Sequence, residues 1–209
     1  TSIEEVLDPA MEDFFIDIVI GDGPAARTVK IDLPKFTLVG ATTRIGLISN
    51  PLKDRFGIPL KLDFYTPSEL QTVIKSCASR LDCTISDEAA LTLAKASRGT
   101  PRIAIRLLRR VRDFMSYYDK PADKNLVLKA LDALKIDSEG LDESDRKYLK
   151  FIMNSYRGGP VGIDTIAAAL SEQRDTIEDT IEPYLIKLGF INKTPKGRVL
   201  THKCLDYLG

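Results

Sequence analysis

The chain has 209 residues, of which 44% are hydrophobic and 29% are charged, so it is long enough to bury at least one core. Its 30 basic residues balance 30 acidic residues, which excludes the overall positive charge of a general nucleic-acid binder. No apolar run is long enough to span a bilayer, and the acidic amino terminus is unlike a secretory signal. Three cysteines without C-x-x-C spacing predict free thiols in a cytoplasmic protein, with no metal site.

The residue pattern changes twice along the chain and predicts three blocks. Residues 1–64 are rich in predicted strands, residues 65–138 are helical, and residues 139–209 are helical with a terminal hairpin. The first block begins with Ser2 and Glu5, whose spacing predicts a capping box on a short helix.

Two runs that alternate between apolar and polar residues, 14–20 and 26–33, predict a β-hairpin. The Gly-Asp-Gly-Pro sequence at residues 21–24 supplies the turn. Alternation places one of two pairs on the outer face, and the candidates are Ile18 with Ile20 or Asp17 with Val19. An exposed aliphatic pair on a hairpin favours a protein-binding surface, whereas packing of both faces within the chain is the structural alternative.

Residues 36–39, Phe-Thr-Leu-Val, form a continuous run that predicts a strand buried on both faces of an α/β sheet. Thr42 and Thr43 follow at the strand end, where open α/β sheets place their ligands. Three cations come next in the sequence, namely Arg44, Lys53 and Arg55. Only Arg55 is a candidate for an anion site, and the simpler interpretation is an ion pair with Asp54 or another carboxylate.

Capping residues in the second block predict four helices, beginning after Thr66, Ser86, Thr100 and Asp123. Arg102 lies in the first turn of the third helix, where the helix dipole disfavours a cation by about 0.3–1 kcal/mol. Because a helix amino terminus also binds anions, this placement predicts a phosphate contact for Arg102. For the other arginines nearby, a solvated basic face is the simpler interpretation: Arg98, Arg106, Arg109, Arg110 and Arg112.

The third block predicts helices at about 142–156, 164–170 and 175–188, closed by a short hairpin, which is the winged-helix plan. The last of these helices carries four acidic residues, Asp175, Glu178, Asp179 and Glu182. Since acidic side chains repel phosphates, the basic hairpin is predicted to contact the DNA backbone instead, through Lys193, Lys196 and Arg198. A solvated hairpin is the alternative.

Four stretches carry a family resemblance: VLDPAMEDFFIDIVIGDGPAARTVKIDLPKFTLVGATTR, PLKDRFG, RGTPRIAIRLLRRVRDF and GGPVGIDTIAAALSEQRDTIEDTIEPYLIKLGFINKTPKGR. Their order resembles that of AAA+ ATPases from the sensor 1 strand onward, and the chain as a whole is similar to the RuvB family of bacterial Holliday-junction branch-migration motors. The resemblance implies an α/β remnant of an AAA+ large subdomain (1–64), an all-α lid (65–138) and a winged-helix DNA-binding domain (139–209).

The resemblance also implies roles for three residues. Thr43 matches the sensor 1 residue, and Arg102 matches sensor 2, which contacts the γ-phosphate of ATP. Arg55 matches the arginine finger, which acts in trans at the neighbouring subunit and contributes about 10³–10⁵ in rate in other enzymes. Such a finger is expected to face outward, so an Arg55 side chain packed against a carboxylate of its own chain would argue against this interpretation.

By the same resemblance, the intact protein would use ATP and Mg²⁺ and form a hexameric ring around duplex DNA at a Holliday junction. RuvA would bind the hairpin of residues 14–33 through Ile18 and Ile20, and RuvC would join the complex that resolves the junction.

The phosphate-binding motif G-x-x-x-x-G-K-[ST] does not occur in the sequence, and no acidic Walker B strand precedes residues 36–39. The chain is therefore interpreted as the carboxyl-terminal portion of such a motor, with no nucleotide bound and no ATP hydrolysis of its own. Two alternatives belong to other classes: a winged-helix regulator that binds a specific operator, and a non-catalytic AAA+ adaptor.

Overall fold

A computed structural model describes residues 2–21 and 26–209 of the chain. The backbone divides into two compact units, Thr1–Leu62 and Asp63–Gly209. Within the described residues, no helix combines the length and the apolar composition that crossing a membrane requires.

The first unit contains α1 (Ser2–Glu12), the strands β1 (Phe15–Ile20) and β2 (Arg27–Asp32), a 3₁₀ turn (Ile45–Leu47) and α2 (Asn50–Arg55). The predicted hairpin is confirmed, because β1 and β2 pair antiparallel. The predicted turn at residues 21–24 lies mostly outside the described residues, as do the side chains of the predicted capping box, Ser2 and Glu5.

The prediction of a buried strand at residues 36–39 is wrong for this structure. This segment is extended but forms no ladder, and the side chains of Phe36 and Val39 are 42% and 86% exposed. A strand of this type is buried only when neighbouring strands flank it and helices cover both faces. In the described part of the first unit, the only sheet is the pair β1–β2, so residues 36–39 have no strand beside them.

The second unit begins with four helices, which we call the lid region: α3 (Pro67–Arg80), α4 (Asp87–Lys95), α5 (Pro101–Tyr118) and α6 (Lys124–Ala133). Each helix begins directly after its predicted cap, and Thr66 forms a complete capping box with Glu69. Apolar residues from all four helices share one core, which includes Leu70, Ile74, Leu93, Leu107, Leu108 and Val127.

The remainder of the second unit, the winged-helix region, begins with α7 (Glu143–Tyr156) and α8 (Ile163–Leu170). Helical backbone then runs from α9 (Arg174–Thr176) through a π-helical segment (Ile177–Ile181) into α10 (Glu182–Lys187). The last elements are β3 (Ile191–Thr194), β4 (Gly197–Leu200) and α11 (His202–Leu208). A second core holds these elements together and includes Tyr148, Leu149, Ile152, Ile166, Ile177 and Leu185.

The wing, β3 with β4, lies against the start of α8. Val161 and Arg198 exchange two backbone hydrogen bonds of 3.0 and 2.8 Å. Gly197 has a φ of 129° and faces the Val161 carbonyl so closely that a Cβ atom would collide with it. Helix α11 was not predicted from the sequence; Thr201 caps it by accepting a hydrogen bond from the Cys204 amide at 3.3 Å.

Candidate functional site

Thr42 and Thr43 lie on an exposed stretch between residue 36 and the 3₁₀ turn. The Thr42 hydroxyl accepts a hydrogen bond from the Arg44 amide at 3.0 Å, which fixes the local turn. Thr43 is exposed, and in the part of the chain that the structure describes its side chain makes no hydrogen bond. The sensor 1 role of Thr43 stays a prediction.

Arg55 is the last residue of α2, a short helix that Ser49 caps by accepting from the Leu52 amide at 3.4 Å. Its guanidinium contacts two carboxylates of α1: Nη1 lies 3.5 Å from Asp8 Oδ1, and Nε lies 3.0 Å from Glu12 Oε1. The Arg55 side chain is 21% exposed. The expectation that Arg55 faces outward is therefore wrong for this structure, and the simpler interpretation, an ion pair within the chain, holds with α1 as the partner.

These ion pairs are close in distance but poorly aligned. Arg55 Nε and Asp8 Oδ1 are both shielded from solvent, yet neither forms a hydrogen bond of acceptable geometry. The 3.0 Å approach of Arg55 Nε to Glu12 is thus an electrostatic contact rather than an aligned hydrogen bond. Both carboxylates are partly exposed, so solvent screens the attraction.

Arg102 lies in the first turn of α5 and is exposed. Thr100 occupies the capping position, but its side chain accepts no hydrogen bond from the helix, and the first turn carries no acidic residue. The helix therefore begins with amide groups that no side chain caps, next to an exposed guanidinium. Both features favour an anion at this end of α5.

The exposed face of α5 continues the positive charge beyond Arg102. A shallow groove of about 320 Å³ runs along the helix, lined by Arg102, Ile105, Arg106, Arg109 and Arg110. Arg110 forms an ion pair with Asp113 at 3.0 Å, with both side chains about half exposed. The solvated basic face that the sequence predicts is thus confirmed for Arg106, Arg109 and Arg110, but it is wrong for Arg98, whose side chain is 13% exposed and binds Asp145.

Two of the three predicted DNA-contacting cations of the wing bind carboxylates of their own domain. Arg198 is only 12% exposed; its Nε lies 2.7 Å from Glu182 Oε1 and its Nη2 lies 2.8 Å from Glu178 Oε1. Lys193 Nζ lies 2.6 Å from Glu182 Oε2. The acidic face of α10 and the preceding segment therefore anchors the wing. Arg198 is a poor candidate for a phosphate contact, because two carboxylates already occupy its guanidinium.

Glu182 is the centre of this cluster and is fully buried. It also accepts a hydrogen bond of 3.0 Å from the Tyr148 hydroxyl. Burial alone would raise the pKa of Glu182, but hydrogen bonds from Arg198 and Lys193 outweigh it and lower the pKa. Burial and the adjacent carboxylate raise the pKa of Tyr148 well above its usual range, so its hydroxyl stays a donor.

Lys196 lies in the turn between β3 and β4 and is exposed. Among the residues that the structure describes, it takes part in no ion pair, unlike Lys193 and Arg198. Of the three predicted DNA contacts, Lys196 is thus the one that no carboxylate of the described residues binds, and its role at DNA stays a prediction. The anchoring role of Glu182 was missed from the sequence, although acidic residues four apart before a basic hairpin are a signal that could have indicated it.

The hairpin of the first unit carries an aliphatic face. Ile16 pairs with Ile31 and Ile18 pairs with Val29 across the two strands, so their side chains share one side of the ladder with Ile20. Ile18 is 40% exposed and Ile20 is 59% exposed, but Val19 on the opposite side is 66% exposed as well. The either-or prediction for the outer face is therefore wrong, because both faces are open, and packing of both faces within the chain is excluded for the described residues.

Three family models match consecutive parts of the chain. Residues 1–62 match the P-loop domain of the Holliday junction DNA helicase RuvB, residues 65–137 match the RuvB AAA lid domain, and residues 138–209 match the RuvB C-terminal winged helix domain. The predicted fold class, an α/β remnant of an AAA+ large subdomain with an all-α lid and a winged helix, is confirmed by these matches.

Individual relatives align along nearly the whole chain. The Holliday junction branch migration complex subunit RuvB of Rickettsia africae (strain ESF-5) is 58% identical over 209 residues, covering 100% of this chain and 61% of the relative. The protein of the same description from Orientia tsutsugamushi (strain Boryong) is 59% identical over 207 residues, covering 99% of this chain and 64% of the relative.

Solved structures give the same result at the level of the backbone. The Thermotoga maritima RuvB Holliday junction branch migration motor superposes with a TM-score of 0.85 at 50% identity, covering 99% of this chain and 64% of that one. A point mutant of the same protein superposes with a TM-score of 0.87 at 51% identity, covering 99% and 65%. The chain thus spans less than two thirds of the length of these relatives and structures.

Proposed function

The chain belongs to the RuvB family, and on that premise we propose that the intact protein is an ATP-driven DNA motor of Holliday-junction branch migration. The observation that carries this proposal is the uninterrupted order of three RuvB domain matches along the chain. The proposed motor is a ring of six subunits on duplex DNA, with ATP and Mg²⁺ at each subunit interface.

Arg102 is the proposed sensor 2 residue. Its exposed guanidinium beside the uncapped amino terminus of α5 suits the γ-phosphate of ATP, since helix amides and an arginine both stabilise an anion. Thr43 is the proposed sensor 1 residue, whose free hydroxyl would orient the attacking water. Arg55 is the proposed finger in trans, which requires it to leave Asp8 and Glu12.

The wing is the proposed contact with DNA, through Lys196 first and Lys193 second. Contacts of lysine with phosphates carry no sequence information, which suits a motor that moves along any sequence. The aliphatic face of the hairpin, with Ile18 and Ile20, is the proposed docking surface for RuvA, because an exposed patch of this kind marks a protein interface. RuvC is the proposed third member of the junction complex.

The decisive experiment compares Arg102→Ala with Arg106→Ala in the intact protein. Arg106 is exposed on the same helix one turn further along, so it controls for the general loss of positive charge. We expect Arg102→Ala to lower ATP hydrolysis at saturating ATP by about 10²-fold, as for the removal of a transition-state donor, and Arg106→Ala to stay within about twofold. Equal losses in both variants would refute the sensor 2 assignment.

A mixing experiment tests the finger. Subunits with Arg55→Ala are combined with subunits that cannot bind nucleotide, and branch migration of a four-way junction is followed. Because the finger acts at the neighbouring site, the mixture is expected to recover part of the activity that each variant lacks alone. An absence of recovery at every mixing ratio would contradict the proposal.

Neither alternative function is favoured by a specific observation. A regulator that binds one operator needs a recognition helix that can approach the bases, whereas Glu178 and Glu182 of the third winged-helix helix are engaged in anchoring the wing. A non-catalytic adaptor does not account for the match of residues 138–209 to the RuvB C-terminal winged helix domain.

A further inference from the structure

A short loop before α5 ties the lid region to the winged-helix region. Arg98 in this loop adopts a left-handed backbone conformation with a φ of 56°. Its Nη1 donates a hydrogen bond of 2.9 Å to Asp145 Oδ2 of α7, and its Nη2 donates one of 3.2 Å to the Thr180 carbonyl. The guanidinium carbon lies 4.6 Å from the centre of the Tyr184 ring. One side chain thus contacts three parts of the winged-helix region: α7, the π-helical segment and α10.

The neighbouring residue, Gly99, makes the loop fit closely. Its φ is 70°, and a Cβ atom there would collide with Lys187 Nζ of α10 and with the Phe64 side chain. The Gly99 carbonyl accepts a hydrogen bond of 2.9 Å from the Tyr65 amide. The hydrogen bond from Tyr65 and the close contacts with Phe64 and Lys187 therefore fix the loop in its position beside α10.

Asp145 is the buried half of this junction, with 1% of its side chain exposed. The same oxygen that binds Arg98 also accepts the Asp142 amide at 3.0 Å, in the capping box of α7. Burial raises the pKa of Asp145 to about 6, although Arg98 opposes the shift. Without Arg98 this carboxylate would be a buried charge with no cationic partner.

The junction also has a more exposed ion pair that serves as a reference. Lys135, just after α6, lies 2.9 Å from Glu143 at the start of α7, and these side chains are 69% and 48% exposed. Exposed pairs contribute little to rigidity, because solvent competes for both charges. The two ion pairs lie at the same boundary between the lid region and the winged-helix region. The pair of Arg98 with Asp145 is buried, whereas the pair of Lys135 with Glu143 is exposed, so the second can serve as a control for the first.

We propose that Arg98 is a positioning residue that fixes the winged-helix region to the lid region, so that movement of α5 reaches the wing as a rigid-body rotation. Arg98 lies only four residues before Arg102, the proposed γ-phosphate contact. A change at the nucleotide therefore acts on the lid at the place where the winged-helix region is attached. This part of the inference rests on the proposed function; the rigid attachment itself does not.

The first test uses the 209-residue chain and needs no nucleotide. Spin labels are placed at Lys95→Cys in the lid region and Asn192→Cys in the wing, both exposed positions, with the partly exposed Cys77 changed to Ser. The distance distribution is expected to be single and narrow with Arg98 present and clearly broader in the variant Arg98→Met with Asp145→Asn. An unchanged width in that variant overturns the proposal.

The double substitution is chosen because it removes the unpaired buried charge together with its partner, which limits the loss of stability. Arg98→Lys keeps the charge but replaces two nitrogens held in a planar group by a single one on a flexible chain, so an intermediate width is expected. Lys135→Met is the matched control and is expected to leave the width unchanged. Equal broadening by Lys135→Met would show that any change at the boundary has the same effect, and would also overturn the proposal.

The second test uses the intact motor and measures base pairs migrated per ATP hydrolysed. In the double variant this ratio is expected to fall about tenfold, while Lys135→Met keeps the wild-type ratio. A loss of stability alone would lower both rates and leave the ratio unchanged, and that result contradicts the proposal. If the unmodified protein migrates no junction with ATP, the proposed function fails, whereas the spin-label result still decides whether Arg98 fixes the two regions together.

Discussion

Replacing Glu182 with glutamine tests whether the wing is anchored by a buried carboxylate. Glu182 is fully buried and receives hydrogen bonds from Arg198 at 2.7 Å and Tyr148 at 3.0 Å, with Lys193 at 2.6 Å. Hydrogen bonds to charged groups contribute about 1.5–3 kcal/mol each, and removing one partner of a buried pair costs about 3–5 kcal/mol. Glutamine keeps one acceptor oxygen, so we expect the free energy of unfolding to fall by about 2–4 kcal/mol.

Urea unfolding of the chain at about pH 7 measures this difference. The chain contains no tryptophan, so near-ultraviolet circular dichroism of tyrosine is a suitable signal, with Tyr148 inside the winged-helix core. Glu178→Gln is the matched control, because Glu178 binds the same arginine but is 27% exposed; we expect a loss of at most about 1 kcal/mol. A Glu182→Gln protein within about 0.5 kcal/mol of the wild type would refute the anchoring role.

The pH dependence gives a second check on the same residue. The pKa of Glu182 is lowered in the folded protein from its ordinary value of 4.5, because hydrogen bonds from Arg198 and Lys193 outweigh burial. The stability that this carboxylate contributes is therefore present above the unfolded-state pKa and is lost as the pH falls through the folded-state pKa. The difference between wild type and Glu182→Gln should shrink when the measurement is repeated in acid. A difference that grows in acid would contradict the direction of the shift.

Three further predictions concern DNA, RuvA and ATP. Lys196→Ala should weaken duplex DNA binding equally for all sequences and reduce the slope of log affinity against log salt by about 1, whereas Lys150→Ala, an exposed cation of α7, should do neither. Ile18→Asp should weaken the proposed binding of RuvA by about 2 kcal/mol in calorimetry, and Val19→Asp on the opposite face should weaken it less. The 209-residue chain should not hydrolyse ATP, since it lacks a phosphate-binding loop; turnover that Arg102→Ala abolishes would contradict this.

Local features of the fold could be read from the sequence. Thr66, Ser86 and Asp123 each cap a helix, and each accepts a hydrogen bond from an amide three residues ahead. A cap of this kind depends on residues within one turn, so the sequence specifies it without knowledge of the rest of the fold. The hairpin is similar, because alternation and turn composition are also local. Helix α11 was missed although Thr201 caps it, since seven residues are too few for a clear periodicity.

Features that depend on distant partners could not be read in this way. The run of residues 36–39 has the composition of a buried strand, but burial needs neighbouring strands and covering helices. The cations of the wing have the composition of a phosphate-binding surface, but two of them, Arg198 and Lys193, form ion pairs with Glu178 and Glu182, which lie on other elements. Charge counted along a sequence is thus a poor guide to charge that a ligand can reach. In the described structure Lys196 and Arg102 are exposed, whereas the Arg198 guanidinium forms ion pairs with Glu178 and Glu182.

The difference between exposed and buried ion pairs also bears on Arg55, whose contacts with α1 argue against a role in trans. Asp8 and Glu12 are 37% and 59% exposed, and the approach of Glu12 to Arg55 Nε is not aligned for a hydrogen bond. Partly exposed ion pairs of this kind contribute about 0–1 kcal/mol to the stability of the fold, whereas the contacts of Arg198 are buried and aligned. A transferring phosphoryl group presents several charged oxygens to an arginine, and a finger lowers the barrier by about 4–7 kcal/mol at 10³–10⁵ in rate. The proposed role in trans would require Arg55 to break these two weak pairs and to leave the shielded Asp8 Oδ1, whereas Arg198 could not leave Glu182 without taking a partner from a fully buried carboxylate.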